Sequence, residues 1–325
     1  MKNNNVSKKI ALLFLVAIAY YLLPSAFLSM AHAQTVSLGI YPPILQMNIT
    51  PPASASQGII LKNFTDDPMT LQVVFKAFKN SPKNNGELTY IDDPNDIPGN
   101  DPHIFTKMQL FDGSHVVSVV NLSPQQEKTL TLHVGIPEDE PPSDYYFSIL
   151  FINKGIAIDQ SNYSGVSTVL GTNVLLSIGP QTATAGFIKE FSSPLFVQHG
   201  PVPFTLLVQN NSTHFIAPKG TIVIENMFGQ YIGKLTLLPV NILEKSARYV
   251  PDNNNLNDIH AIWPEKVLLG PYKARLSIAL SDTGPLFTRT IYFFALPTEA
   301  IIGIILAILI GVIIFLRVRE RLKKM

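Results

Sequence analysis

From position 34 to about position 299 the chain shows almost no helical periodicity. Short runs alternate apolar with polar residues or string β-branched and aromatic residues together, and Pro, Gly and Asn punctuate them. Such runs predict strands. In the first half they are Gly58–Asn63, Met69–Lys76, Thr129–Val134, Tyr145–Ile152 and Thr172–Ile178. In the second they are Pro203–Gln209, Gly220–Glu225, Tyr231–Leu237, Tyr272–Leu280 and Thr288–Phe294. Many short strands separated by turn signals predict an all-β fold of antiparallel sandwiches. Two stretches break the pattern. Asn80 to Phe105 holds Pro82, Gly86, Pro94, Pro98, Gly99 and Pro102, and Pro251 to His260 is rich in Asn. Both are expected as surface excursions.

A short internal repeat divides the strands into two sets. Ile59-Ile-Leu-Lys-Asn-Phe-Thr65 corresponds to Leu206-Leu-Val-Gln-Asn-Asn-Ser212, an apolar strand ending in Asn at a turn. Downstream, Pro137 precedes Tyr146 and Pro264 precedes Tyr272, each at the head of a strand. A strand led by Tyr after a loop is the pattern of a tyrosine corner, in which the hydroxyl ties the corner to the backbone. The expectation is two tandem immunoglobulin-like β-sandwiches, residues 34–182 and 183–296, parted near the small residues of 179–185.

The two ends are apolar in different ways. Met1–Lys9 carries three lysines and no acid, an apolar run follows from Ile10 to Leu23, and Ala31-His-Ala33 supplies small residues at spacing two. These are the parts of a signal peptide, residues 1–33, with cleavage expected after Ala33. Ala300–Leu316 has no polar residue. At 1.5 Å per residue it spans about 25 Å, most of a hydrocarbon core. Arg317, Arg319, Arg321, Lys323 and Lys324 follow. A transmembrane helix over 297–317 and a basic cytosolic tail over 318–325 are expected, with the ectodomain outside and the C-terminus cytoplasmic.

Charge changes the picture of the middle. The chain has 24 Lys/Arg and 23 Asp/Glu; setting aside residues 1–33 and 300–325 leaves 16 and 22, a formal charge of −6. An acidic ectodomain argues against nucleic acid or anionic lipid headgroups as the main partner. There is no cysteine, which excludes disulfides, thiolate zinc sites and a Cys nucleophile together and fits a prokaryotic envelope.

Candidate chemistry is sparse. Asp92, Asp93, Asp96 and Asp101 are candidate calcium ligands in the first irregular stretch, although the spacing departs from an EF-hand loop. Glu138, Asp139, Glu140 and Asp144 form a second acidic stretch, expected as a charged corner loop and, in an alternative reading, as acid/base carboxylates of a carbohydrate-active enzyme. His103, His115, His133, His199, His214 and His260 are scattered, and no zincin, nucleophile-elbow or phosphate-loop motif occurs. Trp263 reads as core packing rather than a sugar platform. Sequons stand at Asn48, Asn63, Asn121, Asn162, Asn210 and Asn211. The expectation is a protein that is not an enzyme and uses no cofactor.

The layout resembles the WxL-interacting proteins of Gram-positive bacteria. The resemblance is carried by Ser37-Leu-Gly-Ile-Tyr-Pro-Pro43, Leu61-Lys-Asn-Phe-Thr-Asp-Asp-Pro68, Leu269-Gly-Pro-Tyr-Lys-Ala-Arg-Leu276, the apolar segment near the C-terminus and its Lys/Arg tail. It implies a first domain engaged with the cell wall and a second that binds a protein partner. The first domain is also similar to the N-terminal domain of pilus chaperones, but the basic pair that anchors a pilin C-terminus in that family has no counterpart. The expected function is a membrane-anchored envelope binding protein for a cell-wall polymer or surface protein, with a chaperone-like assembly factor as the alternative.

Overall fold

The alternating runs become strands, and the strands two sandwiches. In the computed structural model the described residues are 37–323 apart from 94–95, 98–100, 102, 154–167, 181–183, 255–257 and 283. The expected signal peptide and cleavage site, the sequon at Asn162, residues 181–183 of the expected boundary and the end of the basic tail lie outside them. Two units divide the chain: Met1–Ser37, of which only Ser37 is described, and Leu38–Met325.

The first sandwich contains β1 (Leu38–Tyr41), β2 (Ile44–Ile49), β3 (Ala53–Asn63), β4 (Met69–Asn80), β5 (Leu88–Tyr90), β6 (Met108–Asp112), β7 (His115–Val116), β8 (Val119–Leu122), β9 (Glu127–Ile136), β10 (Ser143–Asn153) and β11 (Thr168–Ile178). One sheet runs β1-β3-β9-β6-β7 and the facing one β2-β11-β10-β4-β5, with β8 also on β4. The second sandwich contains β12 (Gly186–Ser192), β13 (Phe196–Val197), β14 (Val202–Asn210), β15 (Lys219–Asn226), β16 (Tyr231–Thr236), β17 (Ala247–Tyr249), β18 (Ala261–Trp263), β19 (Gly270–Ala279) and β20 (Leu286–Ala295). Its sheets are β12-β14-β17, with β18 on β14, and β13-β20-β19-β15-β16.

The two share one plan. In each, the leading segment switches sheets: β1 lies antiparallel to β3 and β2 parallel to β11, while β12 lies antiparallel to β14 and β13 parallel to β20. That switch and the three-strand centres β11-β10-β4 and β20-β19-β15 define immunoglobulin-like sandwiches.

Each core is built from strand alternation. On β9, Leu130, Leu132, Val134 and Ile136 point inward and meet Tyr145, Phe147, Ile149 and Phe151 of β10. The second core joins Val202, Phe204, Leu206 and Val208 of β14 to Tyr272, Ala274, Leu276 and Ile278 of β19. Trp263 is buried there, edge-on to Tyr272 and Phe293 at centroid distances of 5.7 and 6.3 Å, so the core reading holds.

The chain leaves β20 through Leu296 and Pro297 and continues as helix α1 (Thr298–Lys323). From Ile302 to Leu316, eleven large apolar side chains of α1 are 48–66% exposed. They include the consecutive runs 308–310 and 312–316, so they occupy every face. Among the described residues no helix is long and apolar enough to cross a membrane.

The two irregular stretches are not simple excursions. Ile104 is buried in the first core, and the backbone N–H of Tyr249 in the second sandwich donates to the Asn84 carbonyl at 2.9 Å. In the other stretch, the buried Asp252 carboxylate accepts the N–H groups of Asn254 and Ile262 at 2.7 and 2.6 Å. Proline content marked irregular backbone correctly, but long-range contacts hold it in place.

Candidate functional site

The repeated Asn ends the same strand in both sandwiches and plugs the same turn. Asn63 closes β3 and Asn210 closes β14, and both are fully buried. The Asn63 Oδ1 accepts the N–H of Thr65, and its Nδ2 donates to the carbonyls of Asp67 and Ser123. The Asn210 Oδ1 accepts the N–H of Ser212, and its Nδ2 donates to the carbonyls of His214, Ile242 and Leu243. In both cases the amide bonds residues i+2 and i+4 and reaches a distant loop. These two sequons are therefore structural: a buried, fully bonded amide offers no nitrogen to a glycan. Asn48, Asn121 and Asn211 are exposed.

The tyrosine corners differ. The Tyr272 hydroxyl accepts the backbone N–H of Leu269 at 2.9 Å, as a corner should. In the first sandwich Tyr145, not Tyr146, faces the core, and it donates to the Glu140 carboxylate at 3.2 Å. Glu140 also pairs with Lys107, which reaches Asp101 at 2.8 Å. Burial works against the charged form of Lys107, but the two carboxylates outweigh it and hold its pKa above the usual lysine value. Burial likewise opposes the Asp101 carboxylate, and the Lys107 ammonium and His103 N–H bring it below the ordinary range.

The acidic corner is thus mostly internal. Glu138 and Asp139 are exposed, but Glu140 is buried and Asp144 is 1% exposed. A carboxylate taken from water is costly unless its lone pairs are met. The Asp144 Oδ2 accepts the Tyr146 hydroxyl at 2.7 Å and the Phe215 N–H at 2.7 Å, and its Oδ1 accepts the Ser177 hydroxyl at 2.6 Å. Two of those donors lie on the first sandwich and one on the second. The Tyr146 hydroxyl in turn accepts the N–H of Glu244 at 3.1 Å. Burial, helped by the Asp144 charge, pushes the Tyr146 pKa far above the ordinary tyrosine value, so the phenol remains a donor.

An apolar seam surrounds this network. Phe78, Tyr146, Leu175 and Leu243 bury one another, with Leu88 and Phe215 at the margin, and Phe78 stacks on Tyr146 at 6.4 Å. The Asn80 Nδ2 donates to the Ala247 carbonyl at 2.9 Å. Gly86 lies against the Arg248 guanidinium at φ +88, a backbone conformation that favours glycine. Burial lowers the Arg248 pKa. The sandwiches meet through a packed, hydrogen-bonded seam.

Beside the seam opens a cleft of about 590 Å³. Gln46 and Asn48 of β2 form one wall; His214–Ala217, Asn241 and Ser281 form the other. Lys219 and Asp282 at its border pair with each other at 2.7 Å. The Gln46 Nε2 donates to the Asn241 Oδ1 at 3.1 Å across it. Strand β2 ends its sheet. The Pro43 carbonyl accepts the N–H of Asn173 on β11 and the Ile49 carbonyl that of Gly179 just after it, so the alternate residues Ile44, Gln46 and Asn48 turn their backbone groups away from β11. Neither β2 nor β11 carries a lysine or arginine.

Asp92 pairs with Lys76 at 2.6 Å and Asp101 with Lys107, while the Asp96 N–H donates to the Asp93 carbonyl. Among the described residues no group of three or more acidic or histidine side chains could hold a metal ion. Sequence reasoning misplaced Glu140 and, above all, Asp144. Its signal was present: an acid inside Ser-Asp-Tyr-Tyr-Phe-Ser-Ile-Leu-Phe, a run apolar on both faces, demands partners from outside the strand.

No family model matches the chain, so the resemblance to WxL-interacting proteins has no matching model behind it. No curated protein is significantly similar to it. Solved structures are similar at low identity. The class 5 fimbriae chaperone CfaA is 11% identical over 78% of this chain and 98% of its own, with a TM-score of 0.38. The YadV chaperone is 9% identical over 79% and 100%, at 0.36. The Escherichia coli chaperone DraB is 14% identical over 78% and 95%, at 0.34. At such TM-scores the likeness carries no argument, and the fold rests on the strand pairing of the chain itself.

Proposed function

We propose that this chain is a membrane-anchored, non-catalytic envelope protein that binds a partner protein along β2, in the cleft between its two sandwiches. The observation that carries this reading is the open edge of β2 forming one wall of a polar cleft whose two sides are locked together by the Asp144 network. An extended segment added to β2 gains main-chain hydrogen bonds, and the second sandwich reads its side chains. Glu140 and Asp144, the buried acids of the corner, are already occupied in holding structure, which supports a binding role over acid/base chemistry.

The anchor rests on α1. Its large apolar side chains have no protein core around them. Leaving them in water would forgo on the order of 10 kcal/mol of burial, which a bilayer supplies. The basic residues that follow support a cytoplasmic C-terminus. The WxL-like layout belongs to the same reading, with a cell-wall polymer as the other possible ligand, and a chaperone-like role would use the same edge to hold a subunit.

Full-length protein in nanodiscs, offered cell-wall sacculi and envelope proteins, tests the proposal. Wild type retains an envelope protein, and Gln46→Lys with Asn48→Lys lowers retention at least tenfold, because lysines on an edge strand block pairing. Equal retention by the double variant, or retention of nothing, overturns it.

A further inference from the structure

The end of the second sandwich nearest α1 exposes large apolar side chains among its polar loop residues. Strand pairing brings four segments together there. Gly270 pairs with Ala295, Tyr272 with both Asn226 and Phe293, and Val197 with Ala295. The β15–β16 turn, the loop before β19 and the ends of the parallel strands β13 and β20 therefore share one end of the fold. They display Leu195, Met227, Phe228, Val267, Leu269 and Phe294, which are 40–82% exposed.

The β15–β16 turn is the clearest case. The Asn226 Oδ1 accepts the N–H groups of Phe228 and Gln230, and Gly229 takes φ +74. The backbone is satisfied by turn-forming residues, yet the tip presents Met227 and Phe228 to the outside. Contiguous apolar exposure of this kind marks a contact surface.

The position of α1 identifies what covers it. Leu296 and Pro297 alone separate β20 from the helix, a reach of at most about 11 Å from Ala295 to Thr298. The Leu296 N–H still donates to the Val197 carbonyl at 3.0 Å, so the connection is tied to the sandwich. With α1 in a bilayer, this end of the sandwich sits against the headgroups. Its apolar tips then reach the headgroup–acyl boundary, the roughly 5–10 Å depth at which interfacial segments rest. Glu265 and Lys266 are both exposed at the same end, so the apolar tips and not net charge carry the contact.

We infer that the second sandwich is a membrane-seated domain: its α1-proximal tips insert into the outer face of the bilayer that α1 spans and hold the ectodomain at a set orientation. This rests on the anchoring reading above. It adds a second, monotopic lipid contact made by the sandwich itself.

The chain has no cysteine, so single-cysteine spin labels test this directly in full-length protein in phosphatidylcholine/phosphatidylglycerol vesicles. Labels replace Phe228, Val267, Ile308 and Ser114, and their collision rates with oxygen and with a water-soluble nickel chelate are compared. The expected result is a deep lipid signature at 308, a shallow one at 228 and 267 with an oxygen-to-nickel ratio several-fold above that at 114, and a water signature at 114. If 308 lies in lipid while 228 and 267 match 114, the inference fails and the anchor stands. If 228 and 267 are shielded from both reagents, protein covers the tips and the inference fails. A water signature at 308 overturns the anchor and the inference together.

Discussion

The two sandwiches follow one strand plan and solve the same corner with different chemistry. In the second, the Tyr272 hydroxyl meets a backbone N–H, a neutral and local bond. In the first, Tyr145 meets Glu140, which is held by Lys107, and the adjacent Asp144 carries a buried charge into the seam. The second sandwich can spend its corner on itself because that end of β19 faces outward. The first cannot, because β10 is covered on both faces, by its own core and by the other sandwich. Charge is placed where two bodies must be fixed to each other, because a buried carboxylate tolerates little misalignment.

The largest effect is expected at that point. Asp144→Ala strands the Ser177 and Tyr146 hydroxyls and the Phe215 N–H, and should cost about 3 kcal/mol or more. It should also split a single thermal transition into two as the sandwiches uncouple. A melt that stays single with an unchanged midpoint breaks the comparison.

The Asn plugs come next and test what the sandwiches have in common. Asn63→Ala and Asn210→Ala should each cost about 2 kcal/mol, read as a shift in urea midpoint, since each leaves buried carbonyls and an N–H unpaired. Asn210→Ala should cost the more of the two, having one more carbonyl to abandon. Mass spectrometry that finds a glycan on Asn63 or Asn210 of folded protein contradicts their burial.

Acid should separate the two kinds of polar site. The folded-state pKa of Asp101 lies below its unfolded value, so its contribution is present above about pH 4 and is lost as pH falls through the folded value. Glu244, in the seam, is shifted upward by burial, with Lys245 opposing and the Asp144 charge adding to it. Its contribution is greatest below the unfolded pKa, about 4.3, and is lost as pH rises through the folded value. Titrating stability from pH 7 to 3 should show the first sandwich weakening and the seam contribution growing. Glu244→Gln should abolish only the second trend. The smallest effect belongs to the surface: removing the Lys76–Asp92 pair should change stability by no more than about 0.5 kcal/mol in a denaturant titration.

Alternation and turn chemistry alone determined that the protein is two β-sandwiches. The ten strands expected from the pattern all fall within strands, with Leu237 and Leu280 just past the ends of theirs. Asn63 and Asn210 were legible as a repeat because a strand-ending Asn is a local event. Short strands without a strong pattern, such as β1, β17 and β18, exist through their partners and left little local signal. The burial of Glu140 and Asp144, the docking of the loop around Gly86 and the cleft along β2 were decided by tertiary structure. Each depends on residues far apart in the chain, and a carboxylate in solvent and one in a seam look the same until the group that desolvates it is known.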